Sequence, residues 1–120
     1  MRALWVGIAG AAGALTRYGI GLAIGPQRFP WATLAINITG SFLLGFVLTW
    51  ATAGHLSADA ATAISVGFLG AYTTFSTFAW ESFVMGRTER AVEATVYVVV
   101  SVVGGVAAAW SGYALARAVR

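Results

Sequence analysis

Residues 31–54 contain no charged side chain, and this run constrains the fold more than any other feature of the sequence. A helix needs about 20 mainly apolar residues to cross the hydrocarbon core of a bilayer. Three further apolar runs resemble it, so the sequence predicts four membrane-spanning helices, at residues 3–25, 31–54, 60–85 and 91–116. Since 59% of the residues are hydrophobic and only 9% are charged, a water-soluble globule is excluded.

These spans fill the 120-residue chain as a single all-α integral membrane domain. They leave no room for a soluble catalytic domain, and we expect no enzyme activity. The start of the chain, a charged residue followed by an apolar run to Thr16, also has the outline of a cleavable signal peptide. The residues that follow are equally apolar, which favours a first span. The arginines are scattered singly, which argues against a nucleic-acid partner.

The distribution of arginine gives no preferred orientation in the bilayer. With four spans, both termini and the second connection share one side, which holds three arginines: Arg2, Arg117 and Arg120. The first and third connections also hold three: Arg28, Arg87 and Arg90. The positive-inside rule is therefore balanced. Either another feature fixes the topology, or both orientations are made and pair as an antiparallel dimer.

The sequence predicts an interruption of the third span, because glycine and β-branched residues crowd its centre. We expect a break near residues 70–74. Freed backbone groups are tolerated at membrane depth only where they line a cavity or bind something. Nearby hydroxyls are placed to help satisfy them: Thr73, Thr74, Ser76 and Thr77.

Polar residues inside spans are functional candidates, because burying them in a membrane is costly. Thr33, Asn37 and Ser41 follow i, i+4 spacing and form one stripe, for which interhelical hydrogen bonding and pore lining remain equally open. Tyr97 and Ser101 form a shorter stripe that is more typical of packing.

Phe75 and Phe78 share a helix face in the third span. Such pairs usually pack in a core, but the positively polarised ring edges can also stabilise an anion. Arg17 and Glu81 lie within spans, where snorkelling or an interfacial ion pair would explain them.

Three motifs carry a family resemblance: GAAGALTRY at residues 10–18, TLAINITGSF at 33–42, and GFLGAYTTFSTF at 67–78 with Glu81. In this order, one in each of the first three spans, they resemble the Fluc (CrcB-type) fluoride channels. The fourth span is similar only through Tyr97 and Ser101, and Gly105 stands where a further hydroxyl is expected.

The resemblance implies a fluoride-exporting channel of a prokaryotic cell membrane, built as a dual-topology antiparallel homodimer with a structural sodium ion at its centre. It makes Asn37, Phe75 and Phe78 fluoride ligands, and it places sodium on the backbone carbonyls of Gly70 and Thr73. Weaker candidates for the pore are the hydroxyls of Thr33, Ser41, Thr77, Tyr97 and Ser101. It also implies a vestibule role for Arg17 and a supporting role for Glu81.

Two other functions are compatible with a small four-span chain. A proton-coupled multidrug exporter needs a carboxylate in its first span, which here carries Arg17 and no acid. A structural or lesion-forming membrane protein would leave the third motif without a purpose. The channel is therefore the preferred interpretation.

Overall fold

The computed structural model describes residues 1–119, and Arg120 lies outside the described part. Three helices are long and apolar enough to cross a membrane: α1 (Arg2–Ile24), α2 (Trp31–Thr52) and α6 (Ala91–Val119). The stretch between α2 and α6 is segmented into α3 (Ala58–Thr62), a π-helical segment (Ala63–Leu69), α4 (Gly70–Tyr72) and α5 (Phe75–Arg87). The all-helical prediction is confirmed for residues 1–119.

The segmented stretch consists of one helical rod, a short extended link and a second helix. α3, the π-helical segment and α4 run on without interruption, because the backbone at Thr62 and Gly70 stays in the right-handed helical region. Thr73 and Thr74 are extended, with ψ angles of 157° and 109°. The helix therefore stops at Tyr72, and the extended link lies within the range of residues 70–74 where a break was expected. The sequence did not predict the π-helical segment.

Ion pairs tie the helix ends together at both ends of the bundle. Arg2 Nε lies 2.6 Å from Asp59 Oδ1, which joins the N-terminus to the second connection. Arg28 Nη2 lies 2.9 Å from Glu93 Oε1, and Arg90 pairs with the other oxygen of the same carboxylate. The first and third connections therefore share one end, and the N-terminus and the second connection share the other.

α2 and α6 pack with their backbones almost in contact. A Cβ atom at Gly45 would lie 2.1 Å from the carbonyl oxygen of Ala109, and one at Gly112 would lie 2.0 Å from that of Phe42. Only glycine permits so close an approach. This packing fixes the position of the polar residues of α2 relative to those of α6.

The outer surface of the bundle is apolar. Ile8, Leu15, Val66 and Val103 are each more than half exposed, whereas few side chains are fully buried. A soluble protein would not leave so much apolar surface in water, but lipid tails accommodate it. The chain is therefore a multi-pass membrane protein.

Candidate functional site

Asn37 on α2 reaches across to the interruption between α4 and α5. Its Oδ1 accepts a hydrogen bond from the Thr74 backbone N–H at 2.9 Å, and its Nδ2 donates to the Thr74 carbonyl oxygen at 3.1 Å. Both backbone groups of Thr74 are thus satisfied by one side chain. An amide nitrogen carries two N–H groups, so one donor of Asn37 remains available.

A cavity of about 320 Å³ opens beside this contact. Gly70 and Thr73 of the predicted sodium site line it. Five predicted pore residues also line it: Asn37, Ser41, Phe75, Phe78 and Ser101. The hydroxyl of Ser101 is buried and has no hydrogen-bond partner in the described part of the chain. Two residues that line the cavity, Asn37 of α2 and Ser101 of α6, therefore each carry a donor without a partner.

The two phenylalanines occupy different environments. Their ring centroids lie 5.8 Å apart, but Phe75 is 78% exposed, whereas Phe78 is half-buried and packs on Tyr97 at 5.3 Å. Phe78 is thereby held by the core, and Phe75 projects from the surface of the chain.

Two of the remaining predicted hydroxyls, those of Thr33 and Tyr97, form a second cluster around Glu81. Thr33 donates to Glu81 Oε1 at 2.8 Å, and the fully buried Tyr97 donates to Oε2 at 2.7 Å. Both carboxylate oxygens therefore have a donor. Because Thr33 precedes Asn37 by four residues and Tyr97 precedes Ser101 by four, this cluster lies one helical turn from the first cavity.

A second cavity, of about 350 Å³, adjoins the Glu81 cluster. It is lined by Thr33 and Glu81 and extends past the first connection to Arg28 and Arg90, at the end where those two residues share Glu93. Phe78 lines the first cavity and packs on the ring of Tyr97, which donates to Glu81 at the second. Polar groups thus extend from one end of the bundle to the helix interruption.

Thr77 and Arg17 lie outside both cavities. The Thr77 hydroxyl accepts a hydrogen bond from that of Thr74 at 2.9 Å, and Thr74 also caps α5 through the Thr77 backbone N–H. Arg17 has a buried Nε atom without a hydrogen-bond partner among the described residues.

Sequence reasoning missed two features of the site. It did not identify Thr74 as the partner of Asn37, and it did not include Ser65, which lines the first cavity from the π-helical segment. The polar spacing within α2 could not reveal the first, because the partner lies 37 residues away in the sequence.

The sequence profile of the family described as "CrcB-like protein, Camphor Resistance (CrcB)" matches residues 4–113. The chain belongs to this CrcB family. It is 44% identical to a relative from Acidobacterium capsulatum named "Fluoride-specific ion channel FluC", with 93% of each chain covered. It is also 44% identical to "Fluoride-specific ion channel FluC 2" of Geobacillus kaustophilus, over 95% of this chain and 92% of the relative. A Clostridium acetobutylicum protein also named "Fluoride-specific ion channel FluC 2" is 41% identical, over 89% and 91%.

In this CrcB family member, the end of α4 offers backbone oxygens. A helix leaves its last four carbonyl groups without intrahelical partners. Within residues 1–119, no hydrogen bond is donated to the carbonyl oxygens of residues 70–73. The same part of the chain has no cluster of acidic or histidine side chains suited to a metal. Unpaired carbonyls at the negative end of a helix suit a hard monovalent cation such as sodium.

Proposed function

We propose that this CrcB family member is a fluoride-specific channel, not an enzyme, and that it lets fluoride leave the cytoplasm across the cell membrane. The observation that carries the proposal is the convergence of Asn37, Ser101 and Phe78 on one cavity beside the helix interruption. The names of the relatives point to the same ion.

A fluoride ion is small and strongly hydrated, so a pore must replace its water with other donors. The idealised cost of moving a small ion into low dielectric is on the order of 20 kcal/mol. The second N–H of Asn37 and the unpartnered hydroxyl of Ser101 are neutral donors on two residues that line the cavity. Neutral donors favour the anion without holding it as tightly as a full positive charge.

Ring edges extend this set of weak donors. The hydrogen-bearing edge of phenylalanine is positively polarised. Phe78 lines the cavity from within the chain, and the exposed Phe75 is free to contribute to a site shared with a second chain. We assign both rings to the fluoride path on this basis.

Hydroxyl groups lie on either side of Asn37 along α2, with Thr33 one turn towards the first connection and Ser41 one turn towards the second. Ser41 lines the first cavity, while Thr33 and Tyr97 donate to Glu81 one turn away. Thr77 supports the interruption through Thr74. Arg17 is assigned a vestibule role, in which a positive charge raises the local concentration of anions.

We also propose that the working channel is an antiparallel homodimer with a structural sodium ion. The exposed Gly70 and the unpaired carbonyls at the end of α4 supply two oxygen ligands, from Gly70 and Thr73. Two inverted chains would supply four oxygen ligands, and the cation would offset the partial negative charge of the two helix C-termini that meet there. The balanced arginine count and the exposed Phe75 support the antiparallel arrangement.

Fluoride efflux from liposomes that contain only this purified protein tests the channel proposal. We expect a fluoride electrode to record rapid efflux of fluoride without a proton gradient. We expect no efflux of chloride. Efflux that occurs only with an imposed proton gradient would indicate a coupled transporter instead. Transport of an organic cation without fluoride would support the multidrug exporter.

A further inference from the structure

The same three-residue pattern occurs near the ends of α5 and α6. A tryptophan is followed after three residues by an aromatic ring and after four more by an arginine. The first triad consists of Trp80, Phe83 and Arg87, and the second triad of Trp110, Tyr113 and Arg117. All six side chains are exposed. This spacing places the members of each triad on one helix face.

The geometry is repeated as well as the sequence. The guanidinium carbon of Arg87 lies 5.6 Å from the centre of the Phe83 ring, and that of Arg117 lies 5.6 Å from the centre of the Tyr113 ring. Cations at this distance from a ring face are attracted to it. Each ring therefore holds an arginine head close to a surface that faces outwards.

Neither arginine of the triads has an acidic partner in the part of the chain that the structure describes. Arg2, Arg28 and Arg90 each form an ion pair, whereas Arg87 makes no hydrogen bond and Arg117 donates only to the Tyr113 hydroxyl, at 2.6 Å. Most donors of both guanidinium groups therefore remain available to an anion outside the chain.

The two triads lie at opposite ends of the bundle. Arg87 ends α5 next to the third connection, at the end where Arg28 and Arg90 share Glu93. α6 begins there and has 29 residues, so at about 1.5 Å per residue Arg117 lies roughly a membrane thickness away. Tryptophan and tyrosine concentrate at the headgroup level of bilayers.

We propose that each triad is a binding site for the phosphate group of a phospholipid, one site in each leaflet. The guanidinium fork fits a phosphate with two parallel hydrogen bonds, and the aromatic ring keeps the fork in place while the tryptophan packs beside the lipid. Either orientation of the chain presents one triad to each leaflet. Lipid anchoring is therefore equal for both orientations.

Native mass spectrometry of the purified protein in neutral detergent tests the proposal. The probes are dioleoyl phosphatidylglycerol, diacylglycerol with the same chains, and inorganic phosphate. We expect two phosphatidylglycerol molecules per chain beyond the diacylglycerol background. Arg87→Gln and Arg117→Gln should each weaken phosphatidylglycerol binding at one site about tenfold, so that each variant retains one lipid molecule per chain. The double variant should retain neither. Arg28→Gln removes the same charge from an ion-paired arginine and should bind as the unmodified protein does.

Three results would overturn the proposal. Equal phospholipid binding by the double variant and Arg28→Gln would mean that the triads are ordinary interfacial side chains. Binding of inorganic phosphate as tight as that of phosphatidylglycerol would indicate a site for free phosphate. If Tyr113→Ala, which keeps the charge and removes the ring, retained full affinity, the aromatic support would be disproved. Lipid counts do not depend on fluoride flux, so this test is separate from that of the channel.

Discussion

Asn37 and Thr74 are joined by two hydrogen bonds, in which one side-chain amide satisfies both the N–H and the C=O of one backbone residue. Thr74 is buried at the point where the third span is extended, and a buried backbone group without a partner is costly. The α2 side chain therefore supplies the partners that the missing helical turn would have supplied. A polar residue of α2 thus holds the interruption in place and also faces the cavity.

The Asn37→Asp variant should lose most fluoride flux. Aspartate keeps the acceptor for Thr74 N–H, but its second oxygen faces the Thr74 carbonyl without a proton to donate and sets a negative charge beside the proposed anion path. We expect at least a tenfold drop in liposome efflux, and a loss of stability of about 1–3 kcal/mol. Thr49→Val is the matched control, since the Thr49 hydroxyl on the same helix donates only to the backbone carbonyl of Gly45. Normal flux in Asn37→Asp would contradict the pore assignment.

Replacing Phe75 or Phe78 with isoleucine separates ring-edge chemistry from packing. An aliphatic side chain has no positive rim, so both variants should conduct fluoride at least tenfold more slowly if the edges contact the ion. Phe78 packs on buried Tyr97, and its replacement should also cost about 1 kcal/mol. Phe75 is exposed, so its replacement should change the stability of the protein little.

The control for these variants is Phe83→Ile, an exposed phenylalanine of the same helix that does not line the first cavity. Its flux should stay near normal, measured in parallel with chloride efflux. If Phe75→Ile and Phe78→Ile conduct as well as this control, the two rings serve only packing.

The membrane class of the fold could be predicted because apolar length is a local property of the sequence. The charge-free run at 31–54 corresponds to α2, which ends two residues earlier, at Thr52. The π-helical segment could not be predicted, since its residues also fit an ordinary helix and its course depends on packing against α1. There a Cβ at Gly13 would lie 2.1 Å from the carbonyl oxygen of Phe68.

The sequence predicts which residues belong to the site better than it predicts which of them contact one another. The i, i+4 stripe of α2 correctly places Thr33 and Asn37 on one face, but the stripe does not show that Thr33 bonds to Glu81 while Asn37 bonds to Thr74. Those partners come from distant parts of the chain. The shared face of Phe75 and Phe78 likewise does not reveal that only one of them is exposed.

Tyr97→Phe should destabilise the protein by about 1–3 kcal/mol, because it leaves Oε2 of the half-buried Glu81 without its donor. Thermal unfolding in detergent measures the change. Tyr113→Phe is the matched control: its hydroxyl only accepts from exposed Arg117, and we expect a change below about 0.5 kcal/mol. Equal effects of the two variants would show that the Glu81 contact contributes little.

The sodium proposal predicts that Gly70→Val lowers fluoride flux, although the structure of a single chain has room for the added side chain. A Cβ at Gly70 would meet only the Ser65 carbonyl oxygen, at an ordinary 3.7 Å, and the residue is exposed and helical. The subunit should therefore fold, while fluoride flux falls at least tenfold because the added methyl groups crowd the proposed dimer centre.

Cation exchange provides the second measurement for this site. Replacing sodium with N-methylglucamine should lower the thermal stability of the unmodified dimer but not that of Gly70→Val. Gly21→Val is the control, since nothing lies within 4 Å of a Cβ at Gly21. A dimer whose stability is the same in both cations would count against a structural sodium ion.

The balanced arginines predict that the chain inserts in both orientations and that one charge at a connection is enough to bias it. A C-terminal reporter on the unmodified chain should give signal on both sides of the membrane. Glu89→Lys adds a positive charge to the third connection, which should hold that end in the cytoplasm and move the C-terminal reporter outside. Glu89→Gln is the control, because acidic residues contribute little to this rule, and it should leave the distribution even.

Since an antiparallel dimer needs both orientations, Glu89→Lys should also lower fluoride flux in cells, and co-expression with an oppositely biased chain should restore it. A reporter found on one side only for the unmodified chain would rule out dual topology.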